Sequence, residues 1–327
     1  MKHISILVPK GAILGSLEGS RQVFTQVNDF FRAKGEPPLF NVQLVGLSKA
    51  TPLSGGLFTA NADVVLSDVK KTDLIIIPAL DGDLEEAVEK NREAIPWIIE
   101  QYNQGAEVAS LCLGAFLLAS TGLLNGKKCA THWMAANEFK QRFPEVTLVT
   151  EKIITDEHRI YSSGGAFSYL NLILYLIEKY AGREMSILAA KVFAIEIQRQ
   201  DQSSFIIFQG QKTHEDDLIK RAQDYIEKNY GEKITVDDLA GMLAISRRAF
   251  ERRFKKVTFN SVSEYIQRVR IEAAKMSLER SRENVNEAMY KAGYSDNKAF
   301  RTTFKKLTGL SPLEYRNKYN RPVMKVA

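Results

Sequence analysis

Ala249-Phe250-x3-Phe254-Lys255-Lys256-x-Thr258-x2-Ser261-x2-Glu264-Tyr265 is answered fifty residues later by Ala299-Phe300-x3-Phe304-Lys305-Lys306-x-Thr308-x2-Ser311-x2-Glu314-Tyr315. Two copies of one supersecondary unit present two copies of one surface. Each copy reads as helix, short turn, helix. In the first, Thr235 is a good N-cap, with Asp237 and Asp238 in the opening turn where the helix dipole favours negative charge. Leu239, Ala240 and Leu243 form an apolar face, and the break falls at Ala244-Ile245-Ser246. Ser246 caps a second helix whose Phe250, Phe254 and Val257 recur at helical spacing. Its outward face is Arg247, Arg248, Glu251, Arg252 and Lys255.

In the second copy, Val285 to Lys291 precedes the turn Ala292-Gly293-Tyr294-Ser295-Asp296, where Gly293 suits a tight reversal. Matching Ser295 to Ser246 gives this turn one extra residue. Phe300, Phe304 and Leu307 face inward, leaving Asn297, Lys298, Arg301, Thr302 and Lys305 outward. A continuous helix is expected between the copies from Ser263 to Arg280, about 27 Å long at roughly 1.5 Å per residue. Residues 216–327 hold 24 of the 45 Lys and Arg but 15 of the 39 Asp and Glu. The net charge of +6 is therefore a basic C-terminal third on a mildly acidic remainder. Paired basic helices about one DNA turn apart point to double-stranded DNA as partner.

From Leu218 to Pro322 the chain resembles the AraC-type tandem helix-turn-helix family. The resemblance is carried by Val285-x-Glu287-x3-Lys291-Ala292-Gly293-Tyr294-Ser295-Asp296-x3-Phe300-x3-Phe304-Lys305-Lys306-x2-Gly309-x-Ser311-Pro312-x2-Tyr315-Arg316. It implies base-reading positions at Arg248, Glu251 and Arg252, and at Asn297, Lys298, Arg301 and Thr302. The chemistry suits the role, since Arg can bridge guanine, Asn adenine, and Glu can accept from cytosine. Two departures, Phe259 for Gly309 and Val262 for Pro312, predict a different C-terminal turn in the first copy.

The N-terminal two thirds alternate short apolar runs with helical stretches. Strands are expected at Ile4–Val8, Asn41–Leu47, Leu74–Ile77, Val108–Leu111, Lys128–Thr131, Val146–Val149 and Ile160–Ser162. Helices are expected at Gly19–Ala33, Asp83–Asn103, Gly114–Ser120, Ala135–Phe143 and Tyr169–Tyr180. Such alternation predicts an α/β sandwich with a mainly parallel sheet. Ile4–Val8 is too short for a secretory core, no run reaches membrane-spanning length, and two cysteines fit a reducing cytoplasm. No zinc-ligand spacing, P-loop or dinucleotide fingerprint occurs, so neither metal nor cofactor is expected. The expected division is residues 1–200, a linker over 201–216, and a DNA-binding module over 217–322.

Val108-Ala109-Ser110-Leu111-Cys112-Leu113-Gly114-Ala115 joins a strand to a helix through small residues, the build of a nucleophile elbow. A buried structural cysteine is the plain alternative. Leu111-Cys112-x-Gly114-Ala115-x2-Leu118-Ala119-x2-Gly122-Leu123-Leu124-x-Gly126, followed by Ala130-Thr131-His132-Trp133, resembles the class I glutamine-amidotransferase-like superfamily that includes the PfpI peptidases. The resembled branch is the one fused to AraC-type modules. It implies a flavodoxin-like sensor domain in which Cys112 and His132 approach each other. Cys112, Leu113, His132, Ser163 and Gly164 are then the candidate ligand-binding residues, the last two opening a helix that could hold an anion.

Three departures argue against an enzyme. Leu113 stands where the peptidases carry histidine, Ser16 where they carry an acid, and Pro78-Ala79-Leu80 where a Pro-Gly-Gly loop would donate an oxyanion-hole N–H. The resemblances imply a DNA-binding transcription regulator that senses a small amino-acid-like or amine effector, as a homodimer, with RNA polymerase a further partner. A Cys112-dependent amidase or deglycase, or a cysteine redox sensor, fused to a DNA-binding module is the alternative.

Overall fold

The computed structural model describes residues 1–197, 201–280 and 283–320. The expected boundary at residue 200 and the expected module end at 322 lie outside these. The chain divides into two compact units, Met1–Gln202 and Ser203–Ala327.

The first unit begins β1 (Lys2–Val8), α1 (Leu14–Ala33), β2 (Phe40–Gly46), a hairpin of β3 (Ala50–Leu53) and β4 (Phe58–Asn61), and β5 (Val64–Val65). Next come β6 (Leu74–Ile77), α2 (Leu84–Lys90), α3 (Ala94–Asn103), β7 (Glu107–Leu111), α4 (Ala115–Ser120) and β8 (Lys128–Cys129). It closes with α5 (Ala136–Arg142), β9 (Thr147–Leu148), β10 (Ile154–Asp156), β11 (Ile160–Ser163), α6 (Tyr169–Ala181) and α7 (Arg183–Val192). Seven strands form one sheet in the order β10-β11-β7-β6-β1-β2-β5. Every pairing is parallel except β10 with β11.

The sheet is buried on both faces, which is why its central strands are continuous apolar runs. Leu74 and Ile76 point into a core with α1, α6 and α7. Ile75 and Ile77 point into the opposite core with α2 to α5. The stretch Asp83–Asn103 holds two helices rather than the one expected. Asn91 breaks it, accepting the Lys10 N–H at 2.8 Å and donating to the Lys10 carbonyl at 2.8 Å. The antiparallel strand β10, the β3–β4 hairpin and α7 lie outside the expected elements.

The second unit is helical: α8 (Asp217–Lys228), α9 (Val236–Met242), α10 (Arg247–Thr258), α11 (Val262–Arg280), α12 (Val285–Lys291), α13 (Asn297–Thr308) and α14 (Pro312–Tyr319). Phe254 packs edge-on against Tyr265 at 5.2 Å, and Phe304 against Tyr315 at 5.4 Å. Each tyrosine hydroxyl donates to a glutamate, Tyr265 to Glu227 on α8 and Tyr315 to Glu279 on α11. Helix α11 therefore does for the second copy what α8 does for the first. Val262, Tyr265, Ile266 and Val269 from its front half enter the first core, and Ile271, Ala274 and Leu278 from its rear half enter the second.

Residues 203–216 lie along these helices. Phe208 meets Tyr265 edge-on at 5.1 Å, and Phe205 meets Tyr319 at 6.5 Å. Lys275, only 3% exposed, donates to the Ile206 carbonyl at 2.6 Å and pairs with Glu272 at 2.8 Å. A buried lysine is tolerable only when so satisfied.

Two details of the copies differ from expectation. The residue equivalent to Ser246 is Asp296, whose carboxylate accepts the Ala299 N–H, so Ser295 is the extra residue. Phe259 does not change the first C-terminal turn: it adopts the same left-handed conformation as Gly309, φ 56° against 74°. Ala244 and Gly293 likewise share the left-handed position of the inner turn, φ 53° and 78°. An L-residue there costs about 1–2 kcal/mol. Ala244→Gly is expected to raise the unfolding free energy by about 1 kcal/mol in urea titration. Gly293→Ala is expected to lower it by more, because the new Cβ would lie 2.7 Å from the Tyr230 carbonyl oxygen.

Candidate functional site

In the first unit, chemistry-bearing residues gather beyond the carboxyl ends of the parallel strands, where crevices form in open α/β sheets. Cys112 follows β7 directly and sits in the left-handed region at φ 53°. Gly114 permits this turn, since a Cβ there would lie 2.5 Å from the Pro78 carbonyl oxygen. Cys112 donates its N–H to Ser163 Oγ at 3.4 Å and accepts the Thr131 hydroxyl on its carbonyl at 2.9 Å. The elbow geometry is present.

The thiol is buried, and the groups around it are committed to local partners. Cys112 is 3% exposed, and burial pushes its thiol up to about 12 despite the Leu113 N–H directed at it. His132 caps the turn that follows it, its Nδ1 accepting the Met134 N–H at 3.2 Å and its ring lying 5.5 Å from that of Trp133. Burial lowers its basicity. No hydrogen bond joins Cys112 to His132 among the described residues. Ser16 Oγ donates to the Ile13 carbonyl at 2.8 Å and accepts the Ala79 N–H at 3.0 Å. The Ala79 N–H is thereby engaged. Glu18 is bound by Arg21 through two 2.7 Å contacts.

Leu113 is half-buried, whereas Ser163 and Gly164 are buried. Over Gly164 lies Gln202, 1% exposed. Its Nε2 stands 3.1 Å from the Thr131 carbonyl oxygen, 2.8 Å from that of Thr150 and 3.2 Å from that of Lys152. Its Oε1 is buried with no hydrogen-bond partner. Gln202 carries no sequence pattern, because its partners are backbone groups brought close only by the fold. A separate cleft of about 730 Å³ is lined by Asp156, Tyr175, Glu178 and Arg183. Its charges are largely committed, Tyr175 to Asp156 and Arg183 to Glu178.

In the second unit, all ten outward residues of α10 and α13 are exposed. Arg247 is braced by Asp237 at 3.0 Å and Glu251 at 3.3 Å. Arg301 Nε donates to Asn297 Oδ1 at 2.6 Å, and the Asn297 amide donates to Asn286 at 3.0 Å. Arg248, Arg252, Lys255, Lys298 and Lys305 carry no ion pair among the described residues, and Lys256 and Lys306 join them on the surface. Arg253 turns inward instead, gripping Asp216 with two 2.9 Å bonds. Burial opposes ionisation of Asp216, but this guanidinium outweighs it and holds the carboxyl below its ordinary range.

The molecule thus joins an α/β domain with a buried cysteine at a strained strand-to-helix elbow to a duplicated helix-turn-helix domain. Residues 28–179 match the DJ-1/PfpI family, and residues 239–318 match a helix-turn-helix domain; the chain carries a DJ-1/PfpI-type domain followed by an AraC-type one. It is similar to the HTH-type transcriptional regulator GbdR of Pseudomonas aeruginosa, 28% identical over 69% of this chain and 61% of that protein. It therefore spans under two thirds of that relative. The regulator CdhR of the same organism is 23% identical over 81% of this chain and 78% of its own. A crystal structure from Vibrio parahaemolyticus shares the fold, with a TM-score of 0.52 and 24% identity over 58% of this chain and 98% of its own.

At neutral pH a thiol with a pKa near 12 exposes about three orders of magnitude less thiolate than an ordinary cysteine. Iodoacetamide is expected to label Cys112 in the folded protein at least about a hundredfold more slowly than in urea, read by mass spectrometry. Equal rates would contradict the burial of this thiol.

Proposed function

We propose that this protein is a sequence-specific DNA-binding transcription regulator whose DJ-1/PfpI-type domain senses a small metabolite. One observation carries the reading: two like helices, α10 and α13, each stand on a duplicated aromatic core and each turn an exposed cationic face outward. Arg252 and Arg301 supply forks for guanine edges, with Asn297 orienting Arg301 through its 2.6 Å bond. Lys255 and Lys305, one turn further along, suit phosphate contacts that position without specifying. Arg247 serves as a brace between α9 and α10, which also fixes the carboxylate of Glu251.

The two faces share a scaffold but not their residues. Arg248, Glu251 and Arg252 answer to Asn297, Lys298, Arg301 and Thr302. An asymmetric site across two major grooves follows, rather than a palindrome read by one monomer. The proposal includes a homodimer, contact with RNA polymerase and a cytoplasmic location. No described helix is long and apolar enough to cross a membrane.

A catalytic role is set aside on three supports: the buried, protonated Cys112 thiol, the Ala79 N–H already bound by Ser16, and the cap-bound His132. The relatives named above are transcriptional regulators.

Electrophoretic mobility shifts across a salt series test the proposal. Arg252→Ala and Arg301→Ala are each expected to cost about 1–3 kcal/mol on a selected site and to relax preference at one base pair. Lys305→Ala is expected to weaken all sequences alike and to reduce the salt slope by about 1. No preference for any site over bulk DNA at any salt would sink the proposal.

A further inference from the structure

The Gln202 side chain is over-subscribed on one side and unmet on the other. Three carbonyl oxygens, from Thr131, Thr150 and Lys152, converge within 3.2 Å of its nitrogen. A carboxamide nitrogen has two hydrogens, so one carbonyl is left short. Its own Oε1 is buried without a partner. The arrangement is a cage for three donors filled by a group with two. A primary ammonium carries three N–H donors and a positive charge that three carbonyl dipoles favour. A quaternary ammonium would turn methyl groups toward the same oxygens.

The cage is shaped by glycine. A Cβ on Gly164 would lie 2.2 Å from the Gln202 nitrogen and 2.8 Å from the Thr131 carbonyl oxygen. It is also continuous with the elbow, because the Thr131 hydroxyl holds the Cys112 carbonyl and Gly164 follows Ser163, the partner of the Cys112 N–H. Gln202 is moreover the last residue of the first unit, directly followed by Ser203. Its own N–H donates to the Glu151 carbonyl at 2.8 Å.

We propose that the cage of Thr131, Thr150, Lys152 and Gly164 is a binding site for a primary ammonium group, occupied in this structure by the chain's own Gln202. The inference rests on reading this unit as the sensor and names the chemical class of its effector. An incoming ammonium must displace Gln202, so its apparent affinity is lowered by the fraction of time the cage is filled. Displacement frees the chain at the residue that leads into the helical unit. The glutamine is thus an internal competitor whose release is the signal.

The test uses the full chain and methylammonium chloride as probe, with tetramethylammonium chloride as control, titrated by ligand-observed NMR. Gln202→Ala is expected to bind methylammonium at least about tenfold more tightly than the unaltered protein. Tetramethylammonium is expected to bind neither, and Gly164→Ala added to Gln202→Ala is expected to abolish binding. Gln202→Ser, which likewise withdraws the side chain from the cage, gives the same reading should the alanine variant unfold. No gain on opening the cage, equal binding of the quaternary ion, or indifference to Gly164→Ala would each overturn the proposal. Its readout needs no DNA, so loss of DNA binding in the mobility shifts would strike the regulator reading alone.

Discussion

Helix α11 is divided between two hydrophobic cores, and the helical unit depends on that division. Each helix-turn-helix copy is too small to bury an adequate core by itself. The front half of α11 closes the first copy through Tyr265, and its rear half opens the second through Glu279. The duplication is thus not two modules in series but two modules that share a wall. Shortening α11 by one residue would rotate one core against the other by about 100° as well as move it by about 1.5 Å.

The α/β unit obeys a different constraint, a strained backbone at the Cys112 elbow. A left-handed cysteine is costly and persists only where neighbours over-determine it. Here Gly114 under the Pro78 carbonyl, Thr131 on the Cys112 carbonyl and Ser163 at its N–H do so. Ser16 engages the Ala79 N–H at 3.0 Å, and the Cys112 thiol is buried.

Much of this was legible in the residues. The repeat, the buried Phe pairs and the apolar strands announce themselves because periodicity and burial are written in side chains. The capping register of the second copy was not, since Ser295 and Asp296 are both good caps and only the turn geometry chooses Asp296. Phe259 was misleading for a related reason: the left-handed turn is enforced by the Thr258 hydroxyl, which accepts the Asn260 N–H, and by the following helix start, so a poor residue there is carried along. The spacing of Cys112 and His132 was visible, but the orientation of His132 is set by a backbone N–H two residues on. Gln202 gave no signal at all. Its partners are carbonyls, which every residue carries, gathered from segments distant in the chain.

Residues 203–216 reach both halves of the helical unit, Phe208 on the first core and Phe205 beside Tyr319 of the second. Together with the shared helix they make the distance between α10 and α13 a property of the protein rather than of its partner. On the proposed reading, a DNA duplex lying across two supports of fixed separation would itself do the bending. Base pairs between the supports, touched by no side chain, then enter the choice of site through their stiffness.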